Sequence, residues 1–219
     1  MSAPAVPRSL FAFAVFYGGM VCIAGVLGNK QVALGPLAVE AGIFAFLLLV
    51  VVSSAVAELH GEKAANSLVR MGFVPLIVSI LLSLLVLGIR AAPDMDPARA
   101  SAFETIVGGT PRIWAGGIIA YGVSMTLNVL IFAKLRGSRP TTAEGGRLLW
   151  LRGAIASALS QAVDTLIFVT IAFYGVFPIG ELMLGQMLAK VVLSILLVPV
   201  LITGFVALGR RLDTTGPVA

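Results

Sequence analysis

Two charged residues lie inside long apolar stretches of this 219-residue chain, and their side chains are the ones best placed to do chemistry. Asp164 is the only charge over residues 153–180, and Lys190 is the only charge over residues 182–209. A charge at the centre of a bilayer costs about 2.5–3.5 kcal/mol on insertion scales, so it is kept where it has a partner or a task. Asp164 is therefore the first candidate for a ligand or ion site.

Polar neighbours predict that Asp164 belongs to a polar helix face. The positions i, i+4, i+7, i+8 and i+11 lie on one side of a helix, and they are occupied here by Ser157, Gln161, Asp164, Thr165 and Phe168. Such a stripe in a lipid-embedded helix should point into the bundle or a cavity. It has two interpretations: a ligand or ion site, or a polar cluster that joins helices through hydrogen bonds.

A similar phrase occurs 36 residues earlier in the chain. Residues 124–132 (SMTLNVLIF) align with residues 160–168 (SQAVDTLIF), so that Ser124 matches Ser160 and Asn128 stands where Asp164 does. Because adjacent spans run antiparallel, the match suggests related halves that meet at a central site, as in inverted-repeat transporters. Short matches among common residues also arise by chance, and that alternative stays open.

Two further charges have more than one interpretation. Lys190 either pairs with Asp164 or a substrate, or extends its side chain toward the outer interface. Glu58 either faces the cavity from below or simply ends a helix at the interface. Pro199 is expected to bend the helix that carries Lys190.

Composition excludes a soluble protein. Hydrophobic residues make up 59% of the chain and charged residues 11%, with a mean hydropathy of +1.06, whereas soluble domains carry about 25% charged residues. One cysteine (Cys22) and one histidine (His60) give no metal-ligand cluster, and no cofactor is expected. The basic residues lie between apolar runs, which indicates membrane topology rather than nucleic-acid binding.

The uncharged runs predict an all-α integral membrane protein, a single domain over residues 1–219 with six transmembrane helices. The expected helices cover approximately 9–29, 37–58, 71–90, 112–134, 153–176 and 181–208. Lysine and arginine number ten on the side of the two termini and four on the other side. By the positive-inside rule both termini are expected in the cytoplasm.

These residues resemble a known family. The run over 160–168, followed by residues 171–175 (IAFYG), is similar to the signature of the queuosine precursor transporters, also called the vitamin uptake transporter or YhhQ-type family. Glu58-Leu-His-Gly61 resembles the Glu-x-Tyr-Gly end of the second helix in that family, and Lys190 lies inside the sixth helix. The resemblance covers about residues 10–208.

The resemblance implies a six-helix carrier of the bacterial inner membrane that takes up 7-deazaguanine bases and is not an enzyme. Its partners would be a small nucleobase and the lipid bilayer, with no nucleic acid and with a homo-oligomer left open. The carboxylate of Asp164 would accept the ring N1–H and the exocyclic amine. The substrate-binding residues implied are Asp164, Gln161, Asn128, Ser124, Ser160, Thr165, Phe168, Lys190 and Glu58.

The chain departs from the family pattern at three positions. Many relatives carry an aspartate four residues before the glutamate of the second helix, where this chain has Ser54. The fourth helix often reads Gln…Asp, where this chain has Met125 and Asn128. With fewer acids inside the membrane, the coupling ion is left open.

Three other functions remain at this point. The chain lacks a GxxxxGK[ST] loop, so an ATP-driven system would need a separate ATPase, with this protein as its substrate-binding subunit. A membrane-embedded hydrolase or transferase would need a nucleophile and a base within reach. In a structural role the polar stripe would serve only to hold helices together.

Overall fold

The computed structural model describes residues 6–28, 30–34, 37–108, 111–136, 145–175 and 179–214. Eight helices and one hairpin make up this part of the chain. In chain order they are α1 (Arg8–Leu27), β1 (Gln31–Leu34), β2 (Leu37–Glu40), α2 (Gly42–His60), α3 (Glu62–Leu87), α4 (Pro97–Val107), α5 (Pro111–Arg136), α6 (Gly145–Phe173), α7 (Ile179–Leu196) and α8 (Val198–Thr214).

The helices confirm the predicted all-α membrane fold. Five of them, α1, α2, α3, α5 and α6, are long and apolar enough to cross a bilayer. A sixth span is formed when α7 and α8 are taken together, since they are separated by a break of one residue and bent by 44°. The side of the membrane on which the termini lie stays a prediction.

Helix α2 lies at the centre of the bundle. In the most apolar segment of α2, 78% of the residues are buried, whereas in that of α3 only 11% are buried. It packs against α1, α3, α5 and α8, and its residues 46–52 (FLLLVVV) are apolar on every side, which is typical of a helix enclosed by others. The large apolar side chains exposed along α3 therefore face lipid.

The predicted start of the second helix at residue 37 is wrong. Residues Leu37–Glu40 form a strand that pairs antiparallel with Gln31–Leu34, with Val32 opposite Val39, and α2 begins only at Gly42. The backbone N–H of Ala41 donates to the carbonyl of Lys30 at 2.7 Å, which extends the ladder to the helix entry. An apolar run alone does not distinguish a strand from a helix end. Strand β2 packs against α7, so the hairpin covers one end of that helix.

The sixth predicted helix is not continuous over 181–208, because it breaks at Leu197. Pro199 lies in the first turn of α8, where the backbone N–H groups have no partner within the helix, so α8 loses no hydrogen bond. Because Pro199 has no N–H, it also cannot donate to the carbonyl of residue 195, and α7 therefore does not continue into α8. The 44° bend between α7 and α8 confirms the expectation for Pro199.

Other helices extend beyond the predicted limits. Helix α3 begins at Glu62 instead of 71, directly after Gly61, whose φ of 87° turns the chain between α2 and α3. Helix α6 begins at Gly145 instead of 153. The unpredicted α4 starts at Pro97, where the Asp96 side chain accepts the Ala98 N–H at 3.2 Å. Charges end an uncharged run without ending a helix, which explains these differences.

Close packing of α1, α3 and α5 depends on Gly72. A Cβ atom at this position would lie 2.5 Å from the hydroxyl oxygen of Tyr121 and 2.7 Å from a ring carbon of Tyr17. These two tyrosines are buried and joined by a hydrogen bond of 2.8 Å, in which Tyr121 donates to Tyr17. The three helices can approach here because residue 72 has no side chain.

We expect Gly72→Ala to lower the free energy of unfolding by about 1–3 kcal/mol, because the added methyl group must push the tyrosine pair aside. The matched control is Gly19→Ala in α1, where a Cβ would meet nothing within 4 Å. Thermal unfolding of the purified protein in detergent measures the difference. Equal melting temperatures for the two variants would contradict the packing.

Candidate functional site

The two intramembrane charges meet at the centre of the candidate site. The ammonium of Lys190, on α7, donates to Oδ2 of Asp164, on α6, at 2.9 Å. Only 8% of Lys190 and 5% of Asp164 are exposed. Lys190 therefore does not reach toward the interface, and of its two interpretations the pairing with Asp164 is the one that the structure has.

Both charges have further stabilising neighbours. The hydroxyl of Ser124, on α5, donates to Oδ1 of Asp164 at 3.1 Å, so both carboxylate oxygens accept a hydrogen bond. The Lys190 ammonium also lies 5.6 Å from the centre of the Phe46 ring of α2, within the range of a cation–π interaction. Charges buried in this way stay ionised only with such partners.

Asn128 lies apart from the ion pair, one helical turn further along α5. Its side-chain nitrogen donates to the hydroxyls of Ser53 and Ser54 on α2, at 3.1 Å each. All three residues are fully buried. Two of the three departures from the family pattern, Ser54 and Asn128, thus contact each other as a neutral hydrogen-bonded pair.

The remaining predicted residues of α6 surround Asp164. The hydroxyl of Ser160 donates to the carbonyl of Ser157 at 3.0 Å, and that of Thr165 donates to the carbonyl of Gln161 at 3.0 Å. Both hydroxyls donate their protons to backbone carbonyls of their own helix, and their oxygens can still accept hydrogen bonds. Phe168 is half-buried one turn beyond Asp164, toward the end of α6.

Several buried polar atoms have no hydrogen-bond partner among the described residues. Apart from Arg152 Nε, those on α5, α6 and α7 are Asn128 Oδ1, Ser157 Oγ, both amide atoms of Gln161, Gln186 Oε1 and Ser194 Oγ. A buried polar group without a partner costs about 1–3 kcal/mol, and native proteins contain few of them. Gln161 lies within one helical turn of Asp164, and Gln186 and Ser194 lie one turn from Lys190.

The substrate-binding set predicted from the sequence did not include Ser157, Gln186 or Ser194. On α7, Gln186 lies four residues before Lys190 and Ser194 lies four residues after it, so all three share one helix face. Both are buried. The polar spacing that was used for α6 would have found them on α7 as well.

Glu58 is not brought together with the other predicted residues. It lies near the end of α2, where its Oε2 is 3.8 Å from Nη1 of Arg152, and 6% and 12% of the two side chains are exposed. Arg152 lies just before the predicted helix over 153–176, but α6 begins at Gly145 and places it inside the helix. An uncharged run gives no signal for such a helix extension.

A separate polar cluster joins the ends of α1, α2 and α8. The Ser9 hydroxyl donates to Asp213 at 2.8 Å and lies 2.7 Å from Nε2 of His60. Because the single hydroxyl proton goes to the carboxylate, the imidazole must donate to the serine oxygen and cannot take its proton. This differs from a nucleophilic triad, in which the histidine accepts the serine proton and the acid orients the histidine.

Comparison with known proteins shows the family of this membrane protein. A family profile described as "Putative vitamin uptake transporter" matches residues 40–204, which include the ion pair and its neighbours. The chain belongs to the vitamin uptake transporter family. Its fold is accordingly that of a multi-pass membrane protein.

One relative extends the comparison. A protein of Bacillus subtilis (strain 168) named "Probable queuosine precursor transporter" is 32% identical over 146 residues, which are 65% of this chain and 61% of the relative. The chain thus spans about three fifths of the length of that relative. No solved structure matches this vitamin uptake transporter.

We expect Asp164→Asn and Lys190→Met to destabilise the protein by about 3–5 kcal/mol each, because each leaves the opposite charge buried and alone. The double variant should unfold at a higher temperature than either single variant, since no unpaired charge remains. Lys63→Met, at an exposed lysine, is the matched control and should change the melting temperature little. Additive effects of the two substitutions would contradict the pairing.

Proposed function

We propose that this vitamin uptake transporter carries a queuosine precursor, a 7-deazaguanine-type nucleobase, across the bacterial inner membrane into the cell. The observation that carries the proposal is the buried contact of 2.9 Å between Lys190 and Asp164, surrounded by polar atoms that have no partner in the described part of the chain. The name of the Bacillus subtilis relative supports the choice of ligand.

The ion pair offers hydrogen-bonding groups in the order that such a base requires. A 7-deazaguanine ring edge presents a carbonyl oxygen, then the ring N1–H and the exocyclic amine. Lys190 supplies a donor and the adjacent Asp164 supplies two acceptors, so the ammonium faces the carbonyl and the carboxylate faces the two N–H groups. An adenine-type edge has only one donor group beside an acceptor and would leave part of the carboxylate unsatisfied.

Binding exchanges partners at the carboxylate. Both oxygens of Asp164 accept hydrogen bonds, from Lys190 and Ser124. The two N–H groups of the base replace these donors, while the ammonium turns one of its three protons toward the carbonyl. Each charge would therefore have hydrogen-bond partners both before and after the exchange, which limits the cost of binding.

Neighbouring residues would read the rest of the base. The amide of Gln161 provides a donor and an acceptor, and Oδ1 of Asn128 provides an acceptor, all buried without partners in the described residues. Ser160 and Thr165 contribute hydroxyl oxygens. The ring of Phe168 would cover a face of the base, since aromatic rings stack on flat heterocycles.

We expect Asp164→Asn to weaken binding of 7-deazaguanine by about 2–3 kcal/mol, roughly 30- to 150-fold, because an amide presents a donor to a donor. Calorimetric titration of the purified protein measures the loss. The control Asp94→Asn removes a charge from an exposed residue and should bind like the wild type. Wild-type affinity in a folded Asp164→Asn protein would contradict the assignment, and the site would then serve helix packing.

Uptake by the protein alone tests the mode of transport. Liposomes that contain only this protein should accumulate radiolabelled 7-deazaguanine when a proton or sodium gradient is imposed. A failure that is cured by adding a co-purifying ATPase would show that the protein is the substrate-binding subunit of an ATP-driven system.

We propose further that both termini lie in the cytoplasm, from the ratio of ten basic residues to four on the two sides. A tag at either terminus of the protein in inverted membrane vesicles should then be accessible to protease, and in intact spheroplasts it should be protected. Cleavage in spheroplasts would show that the termini lie outside the cytoplasm, and Glu58 would then lie on the outer side of the ion pair.

A further inference from the structure

Two buried hydroxyl groups near the break between α7 and α8 take no part in the ion pair or in the proposed base site. They belong to Ser157 on α6 and Ser194 on α7, and both residues are fully buried. Neither hydroxyl has a hydrogen-bond partner within the described part of the chain. Because a buried hydroxyl without a partner is unfavourable, a group that binds both of them would stabilise this region.

Other hydroxyl groups in the bundle show how a serine or threonine in a helix is usually satisfied. Those of Ser83, Ser160 and Thr203 donate to a carbonyl of their own helix, at 2.7, 3.0 and 2.9 Å. This local bond is common for helical hydroxyl groups. Ser157 and Ser194 do not make it. Their hydroxyl oxygens are therefore available to a ligand between the helices.

The two serines lie between two contacts that join α6 to α7 and α8. At one contact Asp164 accepts from Lys190 at 2.9 Å. At the other, a Cβ atom on Gly153 would lie 3.8 Å from Cα of Pro199. Ser157 is four residues after Gly153 and seven before Asp164, so it shares their face of α6. The serine of α7 lies between the same two contacts on the facing helix.

The end of α7 adds backbone oxygens at a similar depth. The carbonyl of Ile195 cannot accept the usual hydrogen bond from four residues on, because Pro199 has no N–H. Ile195 lies about 8 Å along α7 from Lys190, and Ser157 lies about 10 Å along α6 from Asp164. The last carbonyl groups of a helix also carry the negative end of its dipole, equivalent to about half an elementary charge.

We propose that Ser157, Ser194 and the last carbonyl groups of α7 bind a sodium ion, the coupling ion of the carrier. The proposal rests on the proposed function. Hydroxyl and carbonyl oxygens are suitable ligands for sodium, and the C-terminal ends of discontinuous helices coordinate coupling ions in secondary transporters. Water completes the coordination of the ion.

The ligands favour a monovalent cation over a divalent one or a proton. All of them are neutral oxygens, whereas protein sites for Mg²⁺ and Ca²⁺ use carboxylates. The carboxylate of Asp164 is already paired with Lys190. Over the described residues, no group of three acidic, histidine or cysteine side chains could hold a metal ion. Serine hydroxyls and backbone carbonyls do not take up a proton near neutral pH, so this site does not bind one.

The ion is coupled to the base through the helices that carry the ion pair. Ser194 lies one turn from Lys190, and Ser157 lies two turns from Asp164. An ion held by both serines fixes α6 and α7 relative to each other, and with them the two charges that bind the base. The base then has less to order when it binds, so sodium and the base raise each other's affinity by the same factor.

Equilibrium dialysis of the purified full-length protein against radiolabelled sodium chloride, with choline chloride as the balancing salt, tests the ion site without any base. The wild type should bind one equivalent. Ser157→Ala combined with Ser194→Ala should weaken sodium binding by more than about tenfold, because two ligands are lost. The double variant removes hydroxyls that have no partner in the described residues, so its melting temperature in choline chloride should not fall.

The matched control is Ser83→Ala, which makes the same change on α3 at a hydroxyl that donates to its own helix. It should bind sodium like the wild type. Pro199→Ala gives a second test, because its N–H can bind the carbonyl of residue 195 and should weaken sodium binding as well.

Calorimetric titration with 7-deazaguanine in sodium chloride and in choline chloride tests the coupling. The wild type should bind the base at least about fivefold more tightly in sodium, and the double alanine variant should bind it equally in both salts. Equal affinity of the wild type in both salts would overturn the coupling.

Two further outcomes separate the ion site from the proposed function. A wild type that binds 7-deazaguanine but no sodium, or a double alanine variant that binds sodium like the wild type, would overturn the ion site and leave the proposed function intact. Sodium binding that the double variant loses, together with no binding of 7-deazaguanine in either salt, would support the ion site and overturn the proposed function.

Discussion

The buried ion pair between Lys190 and Asp164 is the interaction on which the site depends. Two isolated charges at this depth would each cost several kcal/mol, so α6 and α7 must hold them in contact, with Ser124 and Phe46 as additional neighbours. This requirement sets the relative depth of four helices. It also leaves an ammonium and a carboxylate side by side, and in the proposed function a guanine-like edge would bind there.

Helix α2 connects this site with the rest of the bundle. Its residues are apolar on nearly every side, so it is stable only when α1, α3, α5 and α8 enclose it. Within that helix Ser53, Ser54 and Glu58 are the polar groups turned toward α5 and α6. The central helix thereby provides both the packing core and polar groups that contact α5 and α6.

The buried polar atoms without hydrogen-bond partners among the described residues lower the stability of the protein at the site. A protein evolved only for stability would pair or replace Gln161, Ser157 and Ser194, because each buried group without a partner is unfavourable. A carrier has to hold its ligand without trapping it. In the proposed function, these polar groups would gain hydrogen bonds from the ligand, which would provide affinity.

The sequence by itself determined the membrane class, the six spans, the bend at Pro199 and the importance of Asp164 and Lys190, because an apolar run and a charge inside it have strong energetic meanings in a bilayer. Only the tertiary structure decided that β2 replaces the start of the second helix, that α4 and the first turns of α3 and α6 are helical, and that Glu58 pairs with Arg152 away from Asp164. The hydropathy of a segment predicts whether that segment lies in the lipid bilayer. The partner of a side chain and the element at a span's end depend instead on contacts between segments far apart in sequence.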